Sequence, residues 1–169
     1  HYMALMSEGA IPLRPGVERL LGEARDSGTR LAIATTTTPE NVNALIENTL
    51  PKGAMNWFEV IGAGDIVPHK KPAPDIYAWV LRELKLAAGD VIAFEDSAHG
   101  VSSASAAGID RVVVTVNAYT AGQDFSAASV VLDTLGDAAA PAQGIAGPVP
   151  PDGRVDLRFL AALPGGASH

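Results

Sequence analysis

Residues 91–116 read VIAFEDSAHGVSSASAAGIDRVVVTV. Val91 to Phe94 is a short apolar run, and Ser97 to Ala107 is rich in Ala and Ser until Gly108 stops it. Arg111 to Val116 is then a near-continuous valine run. An apolar run without alternation suits a strand buried on both faces. The small residues between the two runs let a helix lie close to its neighbours. Strand, helix and strand in that order make a crossover between parallel strands, and such crossovers are right-handed.

The alternation continues on both sides. Upstream, Pro15-Gly16 starts a helix with Val17, Leu20, Leu21 and Ala24 on one stripe, and Gly28 ends it. Leu31 to Ala34 reads as a buried strand, and Pro39 opens a helix with Val42, Leu45 and Ile46 inward. Phe58 to Ile61 is a strand, followed by a polar loop to Pro72. Pro74 opens a helix with Ile76, Tyr77, Val80, Leu81 and Leu84 available for packing. Downstream, Val130 to Leu132 is a short strand, and Asp156 caps a last helix carrying Leu157, Leu160 and Leu163. The fold expected is α/β, a Rossmann-like doubly wound parallel sheet with helices on both faces. Residues 1–8 read as the tail of a helix, 9–137 as the core domain, 138–153 as an Ala/Pro/Gly-rich flexible linker, and 154–169 as a short helix and tail.

Composition narrows the partners. The absence of cysteine excludes disulfides, cysteine nucleophiles and cysteine metal sites, and fits a reducing, cytoplasmic setting. No apolar run reaches the length of a membrane span and no signal peptide is read at the start, so no membrane partner is expected. A formal net charge of −7 repels nucleic acid, and also repels a phosphorylated metabolite at long range. Such a metabolite needs local positive charge, from a lysine and a divalent cation.

In open parallel sheets ligands bind beyond the carboxyl ends of the strands. The first strand runs into Thr35-Thr36-Thr37-Thr38, the second into a loop with His69, Lys70, Lys71 and Pro72, and the third into Glu95-Asp96-Ser97. A hydroxyl cluster, a lysine and an acidic pair at one rim suit a phosphate dianion beside Mg²⁺. Each piece also has an ordinary structural role. Threonines after a strand cap helices, adjacent lysines form solvated loops, and Glu95-Asp96 favours the positive end of the following helix. His69 is read as a surface or packing residue, since no second histidine has a matching spacing. Position decides, because three chance features seldom fall at three successive strand ends.

The stretches Leu31-Ala-Ile-Ala-Thr35, Lys71-Pro-Ala-Pro-Asp-Ile-Tyr77 and Val91-Ile-Ala-Phe-Glu-Asp-Ser97 with Gly100 resemble the haloacid dehalogenase superfamily. Within it they look most like the sugar phosphatases and β-phosphoglucomutase-like proteins of the CbbY branch. The resemblance implies a Mg²⁺-dependent phosphatase acting on a small phosphorylated sugar through an aspartyl-phosphate. It implies that Thr35 binds the transferring phosphoryl group, that Thr36 offers its backbone N–H, and that Thr37, Thr38 and His69 lie where relatives contact substrate. It gives Lys71 to the phosphate and nucleophile, Asp96 to Mg²⁺, and Glu95 to the metal directly or through water. It also makes residues 1–8 the end of the last helix of a helical cap.

One element of the pattern is absent. Family members begin with a strand ending in Asp-x-Asp-Gly-Thr, whose first aspartate attacks phosphorus, and no Asp-x-Asp follows a strand here. The missing strand belongs between those ending at Thr35 and Phe94, so a segment outside this sequence is expected to complete the sheet, and this chain alone is expected to be inactive. Alternatives are a phosphomutase of the same family, a catalytically dead relative that binds phosphate or Mg²⁺, and a receiver-like signalling module. Receivers place the acidic pair first and the lysine last. The order here, Thr35, Lys71, then Glu95-Asp96, is the phosphatase order.

Overall fold

The valine run forms the centre of the core in a computed structural model that describes residues 12–165. Strand β4 (Val112–Thr115) lies between β3 (Ala93–Glu95) and β5 (Val130–Leu132), parallel to both. Its side chains alternate between two apolar clusters, as strand geometry requires. Val112 and Val114 join Ile76, Val101, Ala104 and Ile109 on one face. Val113 joins Leu20, Val130, Leu132, Val155, Phe159 and Leu160 on the other. The first face is covered by α3 (Asp75–Leu84) and α4 (Ala98–Ala106), the second by α1 (Val17–Asp26) and α5 (Leu157–Ala161). The expected α/β layering is therefore present.

Strand β1 (Leu31–Ala34) pairs in parallel with β2 (Phe58–Gly62), and α2 (Pro39–Thr49) packs Val42 and Ile46 into a third cluster beneath them. Among the described residues β1 pairs only with β2, and β3 pairs with β4 but not with β1. The sheet is thus in two parts, divided where the sequence reading left a place for one more strand. Phe94, in the middle of β3, remains 42% exposed.

The C-terminal region departs from the reading. Residues 138–153, expected as a flexible linker, contain β6 (Gly144–Ala146), antiparallel to β5, and a 3-10 turn at Pro151–Gly153. The stretch is tied down by backbone hydrogen bonds, from the Ala142 N–H to the Gly153 carbonyl at 2.7 Å and from the Asp133 N–H to the Gln143 carbonyl at 3.1 Å. A Cβ on Gly136, which has φ 70°, would sit 1.9 Å from the Gly153 carbonyl, so the chain passes too closely there for any other residue. Helix α5 is capped by Asp156, whose carboxylate accepts from the Phe159 N–H at 2.8 Å, and it packs into the core. Among the described residues no helix is long and apolar enough to cross a membrane. The expected helix tail at 1–8 lies outside the described residues.

Candidate active site

Strand β1 ends at Ala34 and turns at once. The Thr35 N–H donates to the Gly62 carbonyl at 2.9 Å, which keeps Thr35 in register with β2. Its hydroxyl oxygen accepts from the Thr37 N–H at 3.2 Å. A hydroxyl that accepts from its own turn still has a proton to donate outward. Thr38 takes the ordinary role foreseen for the run: it caps α2, its hydroxyl accepting from Asn41 N–H at 3.4 Å. Division of labour within the four threonines thus leaves Thr35 and Thr36 at the rim, with Thr37 exposed beside them.

Lys71 is held across the gap between the two parts of the sheet. Its Nζ donates to the Ala34 carbonyl at 3.0 Å and to Glu95 Oε1 at 2.6 Å. The first acceptor is the peptide leading into Thr35, and the second is the last side chain of β3. One ammonium therefore links the carboxyl ends of β1 and β3, which share no strand pairing. An ammonium has three N–H donors, so among the described residues one has no acceptor. The Lys71–Pro72 bond is cis. The neighbouring loop residues point to other tasks: His69 Nδ1 meets Asp75 Oδ2 at 2.8 Å, and Lys70 pairs with Asp65 at 2.9 Å.

The acidic pair is split by the strand. Glu95 is buried, its side chain 6% exposed, and Oε1 accepts from both Lys71 and the Tyr77 hydroxyl. Asp96 is exposed and makes one long contact, from Asn117 Nδ2 at 3.5 Å to its Oδ2. The pair was expected to act as two metal ligands; here Glu95 first secures the lysine and Asp96 is the accessible carboxylate. Behind them Ser97 caps α4, its hydroxyl accepting from Gly100 N–H at 3.2 Å, and the Ala98 N–H donates to Gln123 Oε1 at 2.7 Å.

Gly100 explains its place in the motif. A Cβ there would lie 1.8 Å from Glu95 Oε2 and 2.1 Å from the carboxyl carbon. The carboxylate rests on the bare backbone of α4, and any side chain at 100 would displace it. Burial, followed by the Glu95 charge, pushes the Tyr77 phenol well above its ordinary value, so Tyr77 stays a donor throughout the neutral range. Reading the sequence placed Tyr77 in the packing and stopped at the third strand. Applied to the fourth, the same strand-end rule finds Asn117, two residues past Thr115.

The carboxyl ends of β1 and β3 thus carry the threonine run and the acidic pair, with Lys71 between them. The chain belongs to the haloacid dehalogenase-like hydrolase family, whose sequence profile matches residues 1–114. It is 51% identical over 138 residues to Protein CbbY of Rhodobacter capsulatus, covering 82% of this chain and 60% of that protein. The crystal structure of CbbY from Rhodobacter sphaeroides in complex with phosphate matches at TM-score 0.75 and 45% identity, covering 79% of this chain and 59% of that one. A mutant of the same protein in complex with xylulose-(1,5)bisphosphate matches at the same TM-score over 82% and 62%. The phosphorylated carbohydrates phosphatase of Thermotoga maritima is 33% identical over 117 residues, 69% of this chain and 53% of that protein. The chain therefore spans about three fifths of the length of its CbbY relatives.

The donor set bears on the metal such a family implies. Among the described residues no three His, Cys, Asp or Glu side chains are grouped so as to hold a metal ion. Mg²⁺ is commonly held by one or two carboxylates with water and substrate phosphate as its other ligands. Exposed Asp96 at a strand end offers one such carboxylate, while Glu95, its neighbour in sequence, is buried against Lys71 and Tyr77.

Proposed function

We propose that the protein containing this chain is a Mg²⁺-dependent phosphoric monoester hydrolase of small phosphorylated sugars. The observation that carries the reading is the position of Lys71 Nζ, 3.0 Å from the Ala34 carbonyl and 2.6 Å from Glu95 Oε1, with one donor left over. The phosphate and the xylulose bisphosphate of the CbbY complexes, and the name of the Thermotoga phosphatase, support the substrate class.

In this reading the free N–H of Lys71 meets a phosphate oxygen and neutralises it as a point charge. The Thr35 hydroxyl and Thr36 backbone N–H donate to the other oxygens. Glu95 keeps the ammonium from relaxing toward solvent. Asp96, with Glu95 directly or through water, offers hard oxygens to Mg²⁺, which when bound supplies further charge neutralisation. The attacking aspartate belongs on a strand between β1 and β3, in a segment that this sequence does not contain; the lack of pairing between β1 and β3 among the described residues supports that position. Its attack breaks the P–O bond to the sugar, which leaves as the alcohol with a proton from the second aspartate of the same Asp-x-Asp segment, and water then hydrolyses the aspartyl-phosphate to aspartate and inorganic phosphate.

The test is phosphate release from a panel of pentose and hexose phosphates by the protein expressed from its full reading frame. Turnover is expected, is lost on chelation and returns with Mg²⁺, while this chain alone releases negligible phosphate. Turnover that ignores chelation contradicts the metal assignment. Robust turnover by this chain alone contradicts the external nucleophile.

A further inference from the structure

We propose that Tyr77 is a positioning residue for Lys71, its hydroxyl and ring together holding the Glu95–Lys71 pair in the pose that meets phosphate. The inference rests on the phosphatase reading for its functional consequence and on geometry for its structural part. Tyr77 lies in the first turn of α3, only 7% exposed, in one apolar cluster with Val67, Ile76, Ala93 and Val101. Packing alone asks only for an aromatic ring there. A buried hydroxyl needs a partner, and this one has Glu95 Oε1.

That oxygen is the one that accepts from Lys71 Nζ. The ammonium also sits 4.9 Å from the centre of the Tyr77 ring, within cation–π range. Lysine is a flexible stem with a rotating head, so it holds a fixed direction only when its surroundings constrain it. Here the Ala34 carbonyl, Glu95 and the ring supply three constraints, and Tyr77 contributes to two of them. Gly100 closes the arrangement from behind by leaving room for the carboxylate. Tyr77 does not need to touch substrate to do this.

Tyr77→Phe keeps the ring and removes the hydroxyl, and Tyr77→Leu removes both. The experiment uses ¹⁵N-lysine-labelled protein from the full reading frame, with Lys71→Arg to assign the signal. In the unsubstituted protein the Lys71 ammonium is expected to give an observable, exchange-protected NMR resonance, unlike exposed Lys52 and Lys85. In Tyr77→Phe that resonance weakens or vanishes, and affinity for inorganic phosphate with Mg²⁺ falls by about tenfold, the scale of one hydrogen bond to a charged group. Tyr77→Leu falls further. An unprotected Lys71 signal in the unsubstituted protein overturns the proposal whether or not the variants fold. So does a Tyr77→Phe protein with an unchanged resonance and phosphate affinity within about twofold, the result of a purely packing role. Failure of the unsubstituted protein to bind phosphate removes the phosphatase reading instead, and the resonance still decides the role of Tyr77.

Discussion

Lys71→Ala, in the protein from the full reading frame, is expected to lower kcat/KM for phosphate release by about a thousandfold, the upper range for removing one preorganised donor from developing charge. The loss has a stability component as well. Lys71 Nζ is the cationic partner of Glu95, whose side chain is 6% exposed. Removing it leaves a buried carboxylate with the Tyr77 hydroxyl on the same oxygen and no counter-charge. Breaking such a pair costs about 1–3 kcal/mol, at the low end for buried pairs because Lys71 keeps 17% exposure. The two components separate in a double variant. Lys71→Ala with Glu95→Gln removes the stranded charge, so stability measured by denaturant titration recovers while turnover does not. Lys71→Arg is expected to recover little, because a planar guanidinium does not reproduce a point charge bridging a carbonyl and a carboxylate. Turnover by Lys71→Ala within about tenfold of the unsubstituted protein contradicts the assignment.

Gly100→Ala is the second large effect, and opposing magnitudes decide its sign. Alanine inside a helix is favoured over glycine by about 1 kcal/mol. Gly22, in α1, has nothing within 4 Å of the place a Cβ would take, so Gly22→Ala is expected to be neutral or stabilising and serves as the control. At Gly100 the added methyl lands 1.8 Å from Glu95 Oε2. The backbone of α4 is regular there and the carboxylate is a side chain, so the carboxylate yields. Yielding breaks its bonds to Lys71 and Tyr77, which together are worth more than the helix gains, at about 1.5–3 kcal/mol each for bonds to a charged group. Global stability is expected to fall by about 2–5 kcal/mol, the two bonds less the helix gain, while kcat/KM falls by about a hundredfold because the lysine loses its anchor. Steady-state kinetics beside thermal melts of Gly22→Ala and Gly100→Ala check this; full activity of Gly100→Ala would show that Glu95 can move without cost.

Both predictions rest on contacts that the sequence disclosed unequally. The valines of β4 announced a doubly covered strand because buried strands carry no alternation, and the helices around it showed apolar stripes. The rim was legible in part because parallel strands deliver whatever follows them to one edge, which set Lys71 against the Ala34 carbonyl and Glu95 at the ends of β1 and β3. The split of the acidic pair was readable in principle, since successive strand residues face opposite ways. Strand β6 was not: Gly144-Ile-Ala146 lies in an Ala/Pro/Gly stretch, is exposed throughout, and becomes a strand because the edge of β5 is there to pair with. Tyr77 could not be told from a packing residue, because its partner lies 18 positions away and the pairing exists only once α3 lies against β3.

The most direct test of the central claim is an anomalous-scattering crystal structure of the full-reading-frame protein soaked with Mn²⁺ and inorganic phosphate. The account predicts a metal peak on the Asp96 carboxylate and a phosphate between Lys71 Nζ and the Thr35 hydroxyl. Phosphate bound away from Lys71, or a metal that does not touch Asp96, would contradict it.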